Sequence, residues 1–152
     1  DFIVGFRNKD LIILEEDFQN ACTDLTVMTD DGSNGHKGFV TTALQEKLAA
    51  GATYDAVIAI GPLMMMKAVC DLTREKKIRT IVSMNSVMVD GTGMCGCCRL
   101  TVGGETKFAC VDGPDFDGHQ VDFAEAMARS RMYLDEEKIS MEKHACRLGG
   151  KN

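Results

Sequence analysis

Between residues 90 and 110 the chain gathers the carboxylate of Asp90 and four thiols in Asp90-Gly-Thr-Gly-Met-Cys95-Gly-Cys97-Cys98 and, beyond a Gly-Gly pair, Cys110. Thiolates take soft and borderline metals, and a binuclear iron–sulfur cluster needs four anionic ligands with backbone N–H groups turned toward its sulfurs. Gly91, Gly93 and Gly96 provide a backbone that can wrap closely around an inorganic core. The segment reads as an iron–sulfur site. Structural zinc on the same thiols is the competing reading, although Asp-Gly-x-Gly ahead of the first thiol is unusual for a zinc knuckle. A disulfide framework fits less well. Seven cysteines is an odd number, no apolar signal segment opens the sequence, and Cys22, Cys70 and Cys146 are scattered as small core or surface residues.

The elements around this loop follow from periodicity. Arg99 to Ala109 alternates and is split by Gly103-Gly104, which predicts a β-hairpin that returns Cys110 to the loop. Upstream, short apolar runs alternate with helical patterns, the signature of βα units and a parallel sheet. Strands are predicted at Phe2–Phe6, Leu25–Thr29, Tyr54–Ile60 (buried by composition) and Ile78–Met84. Asp10 is positioned to cap a helix carrying Leu11, Leu14 and Phe18. Thr41 or Thr42 opens a second helix, with Leu44 and Leu48 on one side and Gly51 at its close; Pro62 begins a third. Met64, Met65 and Met66 lie in the third helix, where core packing is the expectation over a soft-metal surface. Asp122 and Glu125 form a capping box for the helix that follows, and a last helix is predicted from Glu136 to Cys146. His36, His119 and His144 read as loop or surface residues, with His119 close enough in sequence to Cys110 to touch a ligand from behind.

The stretch from Ser83 to His119, opening with Ser83 to Asp90 and closing with Cys110-Val-Asp-Gly-Pro-Asp to His119, resembles the carboxy-terminal cluster domain of the small (alpha) subunit of NADH-dependent reduced ferredoxin:NADP oxidoreductase. That group is related to the dihydroorotate dehydrogenase B electron-transfer subunit and to sulfide dehydrogenase and hydrogenase gamma-type subunits. Its dihydroorotate dehydrogenase members space four cysteines as C-x4-C-x2-C and a distant fourth. This chain keeps the last three as Cys95, Cys98 and Cys110, with Asp90 in place of the first. The resemblance implies a 2Fe-2S cluster on Asp90, Cys95, Cys98 and Cys110, with an aspartate ligand as in the transhydrogenase-type subfamily. Cys97 departs from the pattern, which usually has a small residue there.

Over nearly the whole chain the segments resemble the NAD(P)-binding half of the ferredoxin reductase superfamily. That implies nucleotide contacts at Gly5 and Arg7, at Asp30, Asp31, Gly32 and Ser33, and at Gly61 and Pro62 near the nicotinamide. Arg7 would suit a phosphate and Asp30 a ribose hydroxyl; Ile60 stands where the family often has a cysteine. Read without the resemblance, Asp-Gly-Ser is a common turn and Gly-Pro a common helix start.

The expected fold is therefore α/β: a parallel-sheet NAD(P)-binding domain lacking its first βα unit (residues 1–86), a 2Fe-2S module (87–118) and a helical segment (119–152). The resemblance further implies a glycine-rich loop and an FAD-binding barrel that this sequence does not contain. The chain reads as a carboxy-terminal fragment that does not turn over alone. In the usual 3-2-1-4-5 order the absent strand is central, so the sheet must be completed by altered pairing, by a second copy in a strand-swapped homodimer, or by another segment. Implied cofactors are the cluster, NAD(H) or NADP(H), and FAD; implied partners are a larger flavin and iron–sulfur subunit and ferredoxin. A net charge of −6 without clustered Lys and Arg argues against nucleic acid, no run is apolar enough for a membrane span, and free thiols fit a reducing cytoplasm.

Overall fold

The computed structural model describes residues 1–143, which divide into two units. The first comprises Asp1–Ser83 with Asp117–His119, and the second Met84–Phe116 with the described residues from Gln120 onward. The predicted helix end at Cys146, and His144, lie outside the described residues.

In the first unit, β1 (Phe2–Phe6) and β2 (Leu25–Thr29) pair in parallel from Phe2 with Leu25 to Phe6 with Thr29. Between them lie one 3-10 turn (Lys9–Leu11) and α1 (Glu15–Ala21). Asn8, rather than Asp10, supplies the cap, accepting from the Asp10 amide at 3.1 Å, and Leu14 at φ 56° delays the helix to Glu15. Helix α2 (Val40–Ala49) follows, opened at Phe39, slightly before the predicted threonines. It packs so closely on β1 that a Cβ on Gly5 would sit 2.8 Å from Val40 Cγ1.

A second parallel ladder joins β3 (Ala56–Ile60) to β4 (Arg79–Ser83) through α3 (Leu63–Glu75), with Pro62 at the helix entrance. Asp117, the last residue of strand β7 (Asp115–Asp117), belongs to this unit. Helix α3 buries Met66, Val69, Cys70 and Thr73, the spacing of one helical face, while β4 buries Thr80 and Val82. Of the methionine run only Met66 is core; Met64 is 63 % exposed. Thr80 Oγ1 donates to Thr73 Oγ1 at 2.6 Å, and Thr73 donates to the Val69 carbonyl at 2.9 Å. His119 Nε2 lies 3.1 Å from Thr73 Oγ1 and extends this hydroxyl network.

Strand β3 corrects one expectation. Its composition predicts burial on both faces, yet only Ala59 is buried, and Ile58 and Ile60 are 66 % and 71 % exposed. The reason is topological. The two parallel ladders are separate sheets, so among the described residues β3 has β4 on one side and no ladder partner on the other.

In the second unit, β5 (Arg99–Val102) and β6 (Glu105–Phe108) form the predicted antiparallel hairpin, Val102 facing Glu105 across Gly103-Gly104. Both glycines have positive φ (61° and 81°), the requirement of a two-residue hairpin turn. Helix α4 (Phe123–Ser130) starts at Asp122, whose Oδ1 accepts the Glu125 amide at 3.0 Å. The reciprocal half of the capping box is not formed: the Asp122 amide donates to Thr101 O at 2.9 Å. Helix α5 (Leu134–Lys143) follows. Met84, Cys98, Leu100, Ala109, Val121, Phe123 and Ala126 make this unit's core. No helix among the described residues is long and apolar enough to cross a membrane.

Candidate functional site

The loop from Met84 to Cys98 is tied at its start by the Met84 amide, which donates to Pro114 O at 2.9 Å. Gly91, Gly93 and Gly96 all take positive φ (74°, 83° and 67°), so the chain reverses three times between Asp90 and Cys98 in a manner costly for any residue with a Cβ. Those reversals aim backbone amides at the donor side chains. Asp90 Oδ1 accepts the Thr92 amide at 2.9 Å and Oδ2 accepts the Cys95 amide at 3.1 Å. The Thr92 amide above all, with Cys95 behind it, holds the Asp90 carboxyl below the usual carboxylate range. The Cys97 amide in turn points at Cys95 Sγ, 3.4 Å away.

Cys98 and Cys110 form the other half of the site. Cys98 is buried as the residue entering β5, and the hairpin brings Cys110 back so that the two sulfurs lie 3.2 Å apart. The Cys110 amide also faces Cys98 Sγ at 3.5 Å, and the bond to the Cys98 thiol raises the Cys110 thiol above its ordinary value. Thus the Cys98 and Cys110 sulfurs lie side by side, while the Asp90 carboxylate is held on the Thr92 and Cys95 amides. Among the described residues no three His, Cys, Asp or Glu side chains converge on one point. The donor types, the adjacent Cys98 and Cys110 sulfurs and the amides turned toward Asp90 and Cys95 fit an iron–sulfur group.

The second set of predicted residues gathers at the carboxyl ends of the parallel strands. The Asp30 amide donates to Phe6 O at 3.0 Å and the Asp31 amide to Arg7 O at 3.4 Å, so the loops after β1 and β2 run side by side. Asp31 Oδ1 accepts the Ser33 amide at 2.9 Å, and bonding to Ser33 keeps its carboxyl below the usual range; Ser33 Oγ accepts the Lys9 amide at 2.7 Å. Gly5, Arg7, Asp30, Asp31, Gly32 and Ser33 thus share one end of the first ladder. Gly61 and Pro62 stand at the corresponding end of β3, where a Cβ on Gly61 would meet Met65 Cε at 2.6 Å.

Asn34 buttresses this loop and was not among the residues singled out from sequence. Its Oδ1 accepts from Thr29 Oγ1 at 2.7 Å and from the His36 amide at 3.0 Å, and its Nδ2 donates to Val27 O at 2.9 Å. An asparagine between Ser33 and Gly35 is a turn signal, but its grip on β2 is not readable from spacing. Asn34→Ala is expected to cost about 2 kcal/mol, the sum expected when part-buried polar partners are left unmet, read as a lower urea midpoint. His119 Nε2 lies 3.1 Å from Thr73 Oγ1, both in the first unit. Two arginines also escaped the sequence reading: Arg99 Nη1 lies 3.4 Å from Gly96 O, and Arg129 Nη2 donates to Cys97 O at 3.0 Å.

The class of the site follows from comparison with known proteins. Residues 85–122 match the family model of the iron–sulfur cluster binding domain of dihydroorotate dehydrogenase B, so an iron–sulfur binding domain of that type is present. The relatives are more particular. Over 141 residues the chain is 47 % identical to the dihydroorotate dehydrogenase B (NAD(+)) electron transfer subunit homolog of Thermotoga maritima, covering 93 % of this chain and 49 % of that one. It is 56 % identical over 138 residues to an uncharacterized protein of the adh 3′ region of Clostridium beijerinckii, covering 90 % and 47 %. A solved structure of the NADH-dependent reduced ferredoxin-NADP oxidoreductase, described for flavin-based electron bifurcation, superposes with a TM-score of 0.81 at 45 % identity, covering 93 % of this chain and 50 % of that one. The chain is homologous to electron-transfer subunits of the dihydroorotate dehydrogenase B kind and spans about half the length of the curated relatives it matches. The family resemblance seen in the sequence is correct.

Proposed function

We propose that this chain is the electron-relaying portion of a flavin and iron–sulfur NAD(P)H oxidoreductase subunit, holding a 2Fe-2S cluster on Asp90, Cys95, Cys98 and Cys110. The observation that supports the reading is the Cys98 and Cys110 sulfurs 3.2 Å apart, with backbone amides turned toward the Asp90 carboxylate and Cys95 Sγ in the glycine-rich loop. When bound, such a cluster passes single electrons between a flavin and an acceptor. The chain's own residues do the rest. Inward amides at Cys95 and Cys97 offset negative charge, the glycines let the backbone approach, and buried Cys98 screens one side from water. Asp90 offers a harder donor than a thiolate.

The loops after β1, β2 and β3 are read as the nucleotide side. Arg7 suits a phosphate, Asp30 or Asp31 a ribose hydroxyl, and Gly61-Pro62 the approach of a nicotinamide of NAD(H) or NADP(H), as the carboxyl ends of parallel strands favour. Under the same reading the finer fold is a ferredoxin reductase-type NAD(P)-binding sheet followed by the cluster module. FAD is held mainly by segments outside this sequence, and the electron partners are a larger catalytic subunit and ferredoxin.

The test is anaerobic reconstitution with iron and sulfide, metal analysis, and electron paramagnetic resonance after dithionite. A paramagnetic signal on reduction, with about two irons per chain, is expected. A chain that takes up zinc alone and stays silent would instead be a non-catalytic adaptor whose metal loop staples a surface.

A further inference from the structure

Two guanidinium groups reach the metal loop from different elements of the second unit. Arg99 opens β5 and lies 3.4 Å from the Gly96 carbonyl oxygen; Arg129, in the last turn of α4, donates to the Cys97 carbonyl at 3.0 Å. Gly96 and Cys97 are the two residues between the thiols of Cys95 and Cys98. In a trans peptide the C=O and the following N–H point in opposite directions across a rigid plane. A group that holds the Gly96 carbonyl outward must therefore turn the Cys97 N–H inward, and that N–H does face Cys95 Sγ at 3.4 Å. The next peptide obeys the same rule. With the Cys97 carbonyl held by Arg129, the Cys98 N–H is turned away from the guanidinium.

We propose that Arg129 is a positioning residue for the metal loop: it holds the Cys97 carbonyl and so turns the Cys98 N–H to the opposite side of that peptide, and it would set a permanent positive charge near a bound cluster, which gains negative charge on reduction. The proposal rests on the iron–sulfur reading above. Arginine suits the task because its planar, always-charged fork has a defined direction, which a flexible ammonium lacks. Both effects act in one direction. Hydrogen bonds to cluster sulfurs and nearby positive charge each favour the reduced form.

The test compares the anaerobically loaded chain with Arg129→Gln and Arg129→Lys, reading the midpoint potential by paramagnetic resonance during dithionite titration and the rate of iron loss to a chelator. Arg129→Gln is expected to titrate at a more negative potential and to lose iron on the order of tenfold faster, the usual size of a lost supporting contact at a metal site. Arg129→Lys should recover part of the potential, since it keeps charge without the fork. Urea unfolding of the iron-free chains separates a structural role: a loss of the same size with and without iron, with potential unchanged, overturns the proposal. So does an Arg129→Gln chain that matches the parent in both potential and iron release. If Arg129→Gln fails to fold, Arg129→Lys decides, and parental behaviour in potential and release together overturns the inference. A parent that takes up no iron overturns the underlying reading and this inference with it; a loaded parent with unaltered variants overturns this inference alone.

Discussion

Replacing Cys98 with alanine is expected to lower iron retention more than about 100-fold, beyond the range seen when only a supporting group at a metal site is lost. Cys98 is 2 % exposed, and its sulfur faces both the Cys110 thiol and the Cys110 amide, so its loss removes one donor and unbalances its neighbour. The informative control is Cys97→Ser. Cys97 contributes its amide to Cys95 and its carbonyl to Arg129, and a serine keeps both, so retention should stay within about twofold of the parent. Asp90 gives a third arm: Asp90→Ala should impair retention, and Asp90→Cys, which restores a four-thiol set, should preserve it. The acid side has a definite sign. Because amides hold the folded Asp90 carboxyl below its ordinary range, its contribution is complete above the unfolded carboxylate value and is lost only as pH falls through the depressed one. Iron retention should therefore be insensitive to Asp90 protonation between about pH 5 and 8. Anaerobic metal analysis after chelator challenge reads all four variants. Equal loss in Cys97→Ser and Cys98→Ala would mean that the donor set is drawn wrongly.

How much of this was open to a reader of the sequence depends on range. The metal loop was legible because its donors, its glycines and its hairpin are all local: Gly103-Gly104 alone dictates the return of Cys110. The parallel strands were legible for a similar reason, since five-residue apolar runs between helical patterns admit few other readings. The break before α1 was not, because it depends on Leu14 taking a left-handed angle that a leucine ordinarily avoids. Nor was the exposure of Ile58 and Ile60, which depends on whether a ladder forms along the second edge of β3 and not on the strand's own composition. The supporting residues were the least visible. Asn34 acts seven residues back on Val27, and Arg129 acts on a carbonyl 32 positions away; no spacing rule links them. The expected donors are thus readable where they are neighbours in sequence, and what orients them is hidden where it comes from afar.

The second large effect is expected at Gly118. Its φ lies outside the left-handed region, so alanine meets no backbone objection there, and any cost must be steric. That cost is severe. A Cβ would sit 2.5 Å from Cys70 Sγ and 2.8 Å from Val82 Cγ1, while the Gly118 amide is pinned to the Thr80 carbonyl at 2.9 Å. Both obstructing side chains are essentially inaccessible, at 1 % and 0 %, and so have nowhere to retreat. Gly118→Ala should therefore destabilise the first unit by about 2–3 kcal/mol, the upper range of a one-methyl overpacking, seen as a lower urea midpoint with little change in slope. A double-mutant cycle identifies the cause. Cys70→Ala alone removes a buried sulfur and should cost about 1 kcal/mol, yet in the Gly118→Ala background it also removes the nearer obstruction. The pair should then be less destabilised than the sum of the singles by about 1 kcal/mol or more. Strict additivity would show that the chain relaxes at Gly118 by shifting the Thr80 contact instead, and would remove Cys70 as the reason that only glycine fits.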